Sequence, residues 1–285
     1  MDQVQRPLRS VLYIPASKAR ALEKAKSLPA DAIIFDLEDA VAPEDKDAAR
    51  TLLAETLASE DYGPRMRIVR INALGTEWGP RDAAAVATMA CDAVLLPKVD
   101  GPENVAALSQ IVPDREIWTM METPRGCLNA LAIAEAPRMG GFVMGTNDLA
   151  KELGAQFRAD RLPMMTALQT CLMAARAAGI VCIDGVYNAF RDEEGLRAEC
   201  AQGRALGMEG KTLIHPAQLA VANEVFAPSE EEVELARRQI AAFDEAMAAG
   251  QAVAVVDGKI VENLHVATAR ATLARAEAIA AMEAA

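Results

Sequence analysis

Short apolar runs, each ended by a polar or turn-forming residue, recur along the first three quarters of the chain. Runs of this length that are apolar on both faces are typical of buried strands in a parallel sheet. The pattern predicts eight strands, at residues 11–15, 32–39, 67–73, 93–99, 117–123, 141–148, 180–187 and 211–216.

The segments between these runs carry apolar residues at the spacing of helices that bury one face. Strand and helix therefore alternate, as they do in a TIM barrel or in a doubly wound open sheet. We favour the TIM barrel because polar residues mark the ends of nearly all eight runs, whereas an open sheet concentrates its site at one switch point. The predicted helices cover residues 17–27, 46–59, 81–89, 102–110, 128–134, 164–178 and 193–206.

The alternation stops after the eighth run. Ser229 and three following glutamates predict the cap and first turn of another helix. A short strand then reaches a turn at Asp257, and a final helix starts near Glu262. We therefore predict a barrel at residues 1–226 and, at residues 227–285, a helical extension that serves as a lid, as an oligomerisation arm, or as both.

The chain has 285 residues, is 52% hydrophobic and carries a formal charge of −12. Nonspecific binding to nucleic acid or to anionic membranes requires basic surfaces, so this charge argues against both. No stretch approaches the roughly eighteen apolar residues that a spanning helix needs, and the N-terminus has no apolar core of a signal peptide. We expect a soluble cytoplasmic protein.

The five cysteines include no CxxC pair, and the only histidines are His215 and His265. These counts indicate neither a disulfide framework nor a thiolate zinc site, and they disfavour a catalytic Ser-His-Asp or Cys-His arrangement. We interpret Cys127 as a packing residue and His215 as a hydrogen-bonding group at the barrel rim. The glycine-rich nucleotide-binding motifs are absent.

Carboxylates end two consecutive predicted strands, the fifth at Glu122 and the sixth at Asp148. Both side chains are expected at the barrel mouth, because all parallel strands of a barrel end on the same side. Mg²⁺ often binds one or two carboxylates and keeps water or substrate oxygens in its other positions. Glu122 and Asp148 are our candidate Mg²⁺ ligands, with Mn²⁺ as the alternative ion. The competing interpretation is a pair of strand-end caps or salt-bridge partners.

The second and third predicted strands add further charged groups to this mouth. The second ends in Asp36-Leu37-Glu38-Asp39, and we interpret Glu38 and Asp39 as groups that hold metal-bound water, against the alternative of a solvated acidic loop. Arg70 ends the third strand, where its guanidinium can bind a substrate carboxylate. An ion pair with Glu38 or Asp39 is the alternative for Arg70. Lys98 is a weaker candidate, since lysines often extend along apolar surface to reach solvent.

Eight segments stand out in order along nearly the whole chain: RSVLYIPASK, FDLEDAVAPEDK, IVRINA, LLPKV, METPRG, GTNDLAKELG, IHPAQ and DGK. With these segments assembled, the chain resembles the citrate lyase beta-subunit-like family, which includes malyl-CoA lyases and related thioesterases. The set is far more specific than any single member of it. The stretch from Arg9 to Asp39 is most similar to the (3S)-malyl-CoA thioesterase branch.

The resemblance implies a TIM barrel that binds Mg²⁺ through Glu122 and Asp148. It also implies that Arg70 holds the substrate carboxylate and that Glu38 and Asp39 order the metal-bound water. The implied substrate is an acyl-CoA thioester.

Three further implications concern the assembly and the coenzyme. The C-terminal extension of one subunit is expected to close over the site of its neighbour and to supply Asp257 as a proton carrier. Arg9 and Lys18 are expected near the coenzyme A phosphates. The expected assembly is a homotrimer or a hexamer.

The expected activity is hydrolysis of (3S)-malyl-CoA to malate and coenzyme A. The alternatives are carbon–carbon cleavage of malyl-, methylmalyl- or citramalyl-CoA, and the citrate lyase beta subunit, whose thioester is carried by an acyl-carrier protein. A metal-binding protein without catalysis is disfavoured because the implied metal, clamp and proton-carrier residues are all present.

Two segments depart from the family pattern. The chain reads METPRG where the family usually has IETARG, so Pro124 follows the implied metal ligand Glu122. After Asp257-Gly258-Lys259 the chain continues with Ile-Val-Glu, ending at Glu262, where the family commonly has Met-Ile-Asp.

Overall fold

The computed structural model describes residues 6–284. The chain divides into two compact units. One unit is Leu8–Glu224, and the other begins at Val225 and includes residues 6 and 7. The division lies two residues before the predicted boundary at residue 226.

The first unit contains a closed barrel of eight parallel strands, in which β1 pairs with both β2 and β8. The TIM-barrel prediction is therefore confirmed. The strands are β1 (Ser10–Pro15), β2 (Ala32–Asp36), β3 (Met66–Arg70), β4 (Ala93–Leu96), β5 (Glu116–Met121), β6 (Met139–Met144), β7 (Val181–Asp184) and β8 (Gly210–Leu213).

Helices follow the strands around the barrel, and short 3₁₀ turns at Pro43–Asp45, Leu162–Met164 and Pro216–Gln218 precede three of them. The helices are α1 (Ala19–Ala25), α2 (Lys46–Ser59), α3 (Gly79–Val86), α4 (Pro102–Ile111), α5 (Pro124–Leu128), α6 (Ala130–Ala134), α7 (Thr146–Leu153), α8 (Met165–Ala178), α9 (Glu193–Leu206) and α10 (Leu219–Phe226).

The barrel interior is filled by alternate residues of the strands, as the two-residue period of a strand requires. The core includes Val11, Ile34, Ile68, Leu95, Trp118, Met120, Val143 and Ile183. The same alternation, continued two residues past Ile34, Ile68 and Met120, reaches Asp36, Arg70 and Glu122. Charged groups therefore cover the apolar interior at the carboxyl ends of the strands.

Most predicted strands extend past the observed carboxyl ends, and two of these differences concern candidate site residues. Strand β2 ends at Asp36, so Glu38 and Asp39 belong to the following loop. Strand β6 ends at Met144, and Asp148 lies in the first turn of α7. The prediction that Asp148 ends a strand is therefore wrong, because Gly145 is the N-cap of α7 and the helix begins at Thr146.

The second unit consists of two long helices and a hairpin: α11 (Glu230–Ala248), β9 (Ala254–Val256), β10 (Lys259–Val261) and α12 (Asn263–Glu283). Helix α11 starts as predicted, since the backbone N–H of Glu232 donates to Ser229 Oγ at 3.1 Å. Asp257 and Gly258 form the hairpin turn with φ angles of 52° and 74°. Two consecutive positive φ angles are what a two-residue hairpin turn requires. Within residues 6–284, no helix combines the length and apolarity needed to cross a membrane.

Candidate active site

A cavity of about 350 Å³ opens at the carboxyl ends of the barrel strands. Its walls combine charged groups from the strands and loops with apolar groups from the β1, β7 and β8 side of the barrel. The lining includes Tyr13, Asp36, Arg70, Glu122, Asp148, Val186 and Ile214. Strand-end residues that the sequence predicted at the mouth therefore share one concave surface.

Glu122 directly follows β5 and is almost fully buried. Its Oε1 accepts a hydrogen bond of 2.8 Å from the backbone N–H of Lys98. Burial raises the pKa of Glu122, while Lys98 opposes this shift and Asp148 reinforces it. Gly145 permits this packing, since a Cβ at that position would lie 2.4 Å from Glu122 Cβ.

The Lys98 ammonium lies between the two candidate metal ligands. Its Nζ forms a very short ion pair with Asp148 Oδ2 and lies 3.4 Å from Glu122 Oε1. Partial burial lowers the pKa of Lys98, but the hydrogen bond to Asp148 and the charge of Glu122 outweigh it and leave the pKa raised. Lys98 has a φ of 54°, a left-handed conformation that is uncommon for residues with a side chain. Such conformations often occur at functional sites.

Asp36 and Arg70 form a buried pair through two parallel hydrogen bonds. Arg70 Nε donates to Asp36 Oδ1 at 2.8 Å, and Nη2 donates to Oδ2 at 2.6 Å. The two residues are partners in the β2–β3 register, which brings their side chains together. Arg70 Nη1 also lies 2.9 Å from Glu38 Oε2 and 3.9 Å from Asp39 Oδ2. The ion-pair alternative for Arg70 is thus present, with Asp36 as the principal partner.

Glu38 is a buried carboxylate in the loop after β2. Burial, supported by the charges of Asp39 and Glu122 and opposed by Arg70, raises the pKa of Glu38 to about 8. Its Oε2 is buried and accepts no hydrogen bond from residues 6–284, despite the nearby guanidinium. Asp39 differs, because its side chain is 70% exposed.

Lys46 fixes the backbone of this acidic loop from below. Its buried Nζ donates to the carbonyl oxygens of Leu37 at 3.0 Å and of Glu38 at 2.8 Å. Asp36 adds two bonds by accepting from the backbone N–H groups of Glu38 and Ala40. The loop is therefore held by specific hydrogen bonds rather than left as a solvated acidic segment.

The site carries more negative than positive charge, and this excess suits a divalent cation. Within residues 6–284, no three His, Cys, Asp or Glu side chains are grouped so that they could hold an ion by themselves. The Glu122 and Asp148 carboxylates both contact the Lys98 ammonium, so they face one point. Two carboxylates placed in this way fit a metal ion that keeps water or substrate oxygens in its other positions. The buried, unsatisfied Glu38 Oε2 is a further acceptor for ordered water.

Arg9 does not reach the cavity, and the expectation that it lies near coenzyme A is corrected. It precedes β1, so it lies at the opposite end of the barrel from the cavity. There Arg9 is buried, and its guanidinium donates two hydrogen bonds to Asp31, at 3.0 and 2.9 Å. Asp31 precedes β2 at the same end, and the pair closes the amino-terminal side of the barrel.

Three other predicted residues have distinct surroundings. Lys18 is exposed before α1, at the same end of the barrel as the cavity. Asp257 belongs to the second unit, where Arg238 binds it through contacts of 2.7 and 2.9 Å and holds its pKa below the usual value. Glu262 precedes α12, and its backbone N–H donates to His265 Nδ1 at 3.0 Å.

His215 matches its predicted structural role at the barrel rim. Its Nδ1 accepts a hydrogen bond of 3.1 Å from the backbone N–H of Ala217, and its ring stacks on Phe190 at 4.5 Å.

The model of the HpcH/HpaI aldolase/citrate lyase family matches residues 9–216. The chain belongs to this family. The matched segment begins just before β1 and ends just after β8, so it covers the whole barrel with the candidate site.

Relatives of this HpcH/HpaI chain include proteins named (3S)-malyl-CoA thioesterase and proteins named citrate lyase subunit beta. A protein named (3S)-malyl-CoA thioesterase from Cereibacter sphaeroides is 64% identical over 278 residues, covering 98% of each chain. Citrate lyase subunit beta from Escherichia coli is 34% identical over 284 residues, covering 95% of this chain and 94% of the relative. A crystal structure of CitE from Mycobacterium tuberculosis, in complex with magnesium, acetoacetate and coenzyme A, superposes with a TM-score of 0.81. It is 33% identical and covers 95% of this chain and 98% of CitE.

Two residues of this HpcH/HpaI site were not singled out from the sequence. In the sequence Asp36 is one of three neighbouring carboxylates, and its pairing with Arg70 becomes visible only in the strand register. Tyr13 is the second such residue. The strand alternation that places Val11 inside the barrel also places Tyr13 at its mouth.

Proposed function

We propose that the protein hydrolyses (3S)-malyl-CoA to malate and coenzyme A. The observation that carries this proposal is the 64% identity to a (3S)-malyl-CoA thioesterase over 98% of both chains. The alternatives are a lyase acting on malyl-, methylmalyl- or citramalyl-CoA and a citrate lyase beta subunit acting on a carrier-protein thioester. The relatives named citrate lyase subunit beta support the latter, at the lower identity of 34%.

The proposed cofactor is Mg²⁺ held by Glu122 and Asp148, with Mn²⁺ as the alternative ion. The acidic excess at the mouth and the unsatisfied Glu38 Oε2 support a cation with ordered water. A related crystal structure contains magnesium with coenzyme A. When bound, the ion would polarise substrate oxygens and stabilise negative charge that develops on them.

The chain's own groups would orient the substrate. Arg70 is held by two hydrogen bonds to Asp36, and its Nη1, which lies 2.9 Å from Glu38 Oε2, would bind the substrate carboxylate. Glu38 and Asp39 would position water above this clamp, and the raised pKa of Glu38, about 8, means that its carboxyl carries a proton near neutral pH in the metal-free chain.

Asp257 is the proposed proton carrier, supplied by the extension of a neighbouring subunit. The exposed apolar side chains of Val255 and Ile260 flank its turn on the hairpin, which supports contact with another surface. On docking, Asp257 would exchange its partner Arg238 for groups of the neighbouring site. Lys18, exposed at the cavity end of the barrel, is the proposed contact for a coenzyme A phosphate.

We further propose a homotrimer or hexamer that works in the cytoplasm. The first unit exposes several large apolar side chains, and a contiguous patch of them would mark a site of assembly. They include Leu128, Phe157, Leu162 and Met173. The five cysteines are all buried and free of disulfides, as is usual in reducing compartments.

Product analysis tests the activity directly. Purified protein is incubated with Mg²⁺ and malyl-CoA, and free coenzyme A and malate are measured against acetyl-CoA and glyoxylate. Malate with free coenzyme A is the expected outcome, whereas acetyl-CoA with glyoxylate would replace the thioesterase by the lyase. Glu122→Gln should abolish turnover, and Glu44→Gln, a change outside the cavity, serves as the matched control.

A further inference from the structure

The Tyr13 phenol faces the cavity with a weak hydrogen-bond partner. Tyr13 lies on β1, packs against the barrel core and lines the mouth. Its hydroxyl donates to the thioether sulfur of Met120 at 3.4 Å. Buried tyrosine hydroxyls usually donate a hydrogen bond to oxygen or nitrogen, and a thioether sulfur is a weak acceptor. A substrate oxygen in the cavity would therefore be a better partner than the one present.

The Tyr13 ring is fixed by its neighbours rather than by its hydroxyl. The Arg70 guanidinium lies 4.9 Å from the ring centroid, at the distance of a cation–π contact. Met120, the hydroxyl's partner, precedes Glu122 by two residues on the same side of β5. The phenol is thus held beside both the clamp and a candidate metal ligand.

We propose that the Tyr13 hydroxyl donates a hydrogen bond to the thioester carbonyl oxygen and stabilises the negative charge that forms there. This inference deepens the proposed function and rests on it. It assigns a separate donor to the carbonyl end of the substrate, whereas Arg70 binds the carboxylate end.

The hydrolysis places charge on that one oxygen. The oxygen of water bonds to the thioester carbon while the carbonyl π electrons move onto the carbonyl oxygen. The proton released by water passes to the proposed proton carrier, Asp257. The electron pair then returns to form the acid carbonyl as the carbon–sulfur bond breaks, and the coenzyme A thiolate takes up the proton. A donor at the carbonyl oxygen acts most strongly while the oxygen is negative.

Charge complementarity assigns Tyr13 to the carbonyl rather than to the carboxylate. The Arg70 guanidinium lines the cavity and the Lys98 ammonium contacts two of its lining carboxylates, and both match a permanently charged carboxylate better than a phenol does. Burial raises the pKa of Tyr13 well above its ordinary value, so the phenol keeps its proton and acts as a donor rather than as a base.

Tyr13→Phe tests the proposal because it removes the hydroxyl and keeps the ring that contacts Arg70. We expect kcat for malyl-CoA hydrolysis to fall about 100-fold, the order found when one oxyanion donor is removed. KM should change by less than about threefold, since the interaction forms mainly in the transition state. Binding of glyoxylate in the presence of Mg²⁺, measured by calorimetry, should be unchanged, because glyoxylate carries the carboxylate end of the substrate and lacks the thioester carbonyl.

Tyr62→Phe is the matched control, because its hydroxyl donates to the Leu22 carbonyl at 3.2 Å, away from the cavity. It should retain wild-type kcat. Wild-type kcat in Tyr13→Phe would overturn the proposal, as would a loss of glyoxylate binding, which would place Tyr13 at the carboxylate. Wild-type protein that releases acetyl-CoA instead of malate would refute the proposed function alone. The Tyr13 test would then be repeated on lysis, where the same oxygen becomes an enolate.

Discussion

Lys98 contributes a positive charge at the point where two carboxylates approach each other. Its backbone N–H and its ammonium both contact Glu122, while the ammonium also contacts Asp148. The lysine therefore lowers the repulsion between these carboxylates in the absence of metal. The same charge opposes a cation that binds to them.

Lys98→Met should consequently strengthen Mg²⁺ binding and lower the stability of the metal-free protein. We expect Kd for Mg²⁺ to fall several-fold to tenfold, since removing one nearby like charge is worth about 1 kcal/mol. The thermal midpoint in chelator should also fall. Calorimetric titration of Mg²⁺ measures the first effect, and Lys98→Arg keeps the charge as a control. Weaker Mg²⁺ binding by Lys98→Met would show that the lysine mainly orients the ligands.

Glu38 should make the stability of the metal-free protein depend on pH. Its pKa is raised from 4.5 to about 8 in the folded chain, so the folded state binds this proton more tightly than the unfolded state does. The stabilisation is complete below pH 4.5 and is lost as pH rises towards 8, by an amount on the order of a few kcal/mol. Urea unfolding in chelator at pH 5 to 8 should show a steeper decline for wild type than for Glu38→Gln. Equal slopes would contradict the assignment, and Asp39→Asn provides an exposed control.

For single residues, the sequence predicted the position of a side chain correctly where the end of a strand determines that position. It failed where contacts between distant parts of the chain determine it. Glu122 and Arg70 are found at the mouth because Glu122 directly follows the buried strand β5 and Arg70 is the last residue of β3. Arg9 was assigned to the coenzyme through family resemblance, although its position before β1 places it at the other end of the barrel. The pairing of Arg70 with Asp36 depends on strand register, which a single sequence does not state.

At the scale of elements, the eight strands were predictable because each is a buried apolar run between amphipathic helices. Their ends were less predictable, since polar residues such as Asp148 can follow a strand within a loop or a helix. The first turn of α7 suits Asp148, because a carboxylate interacts favourably with the amino-terminal end of a helix. Helix formation by the TND segment thus replaces the predicted extension of β6.

A buried charge cluster joins β7, β8, α9 and the segment that leads from α7 to α8. Asp184 accepts hydrogen bonds from Arg161 at 2.7 and 2.8 Å and from Lys211 at 3.1 Å, and Lys211 also donates to Glu199 at 2.6 Å. Lys211 and Arg161 hold the pKa of Asp184 below its usual value although burial opposes them. The cluster ties the chain after α7 back onto the barrel.

Asp184→Asn should destabilise the barrel by on the order of 3 kcal/mol, because it removes an anion from two buried cations. Urea unfolding measures the change. Asp160→Asn, which breaks the exposed contact of Asp160 with Arg158, is the matched control and should have little effect. Equal stability of the two variants would contradict a structural role for the cluster.

At the scale of the whole molecule, the proposal that Asp257 acts in the site of a neighbouring subunit leads to a complementation test. Asp257→Asn and Glu122→Gln subunits should each be inactive alone. If Asp257 acts in a neighbour's site, random mixing of equal amounts restores about one quarter of wild-type activity, since half of the barrels and half of the arms are intact. No recovery would show that Asp257 does not act across subunits. Mixing Glu122→Gln with Asp148→Asn is the negative control, because both changes lie in one barrel.

The cavity is small compared with the molecules it is proposed to serve. Its volume of about 350 Å³ is near the lower limit for sites that enclose a drug-sized ligand. The cavity can therefore hold the malyl group, while most of coenzyme A would lie outside it. The charged residues that line the cavity would therefore bind the acyl group, and residues around its opening would bind the carrier. A change from coenzyme A to an acyl-carrier protein would then require substitutions around the opening, while the residues that bind the acyl group stay the same.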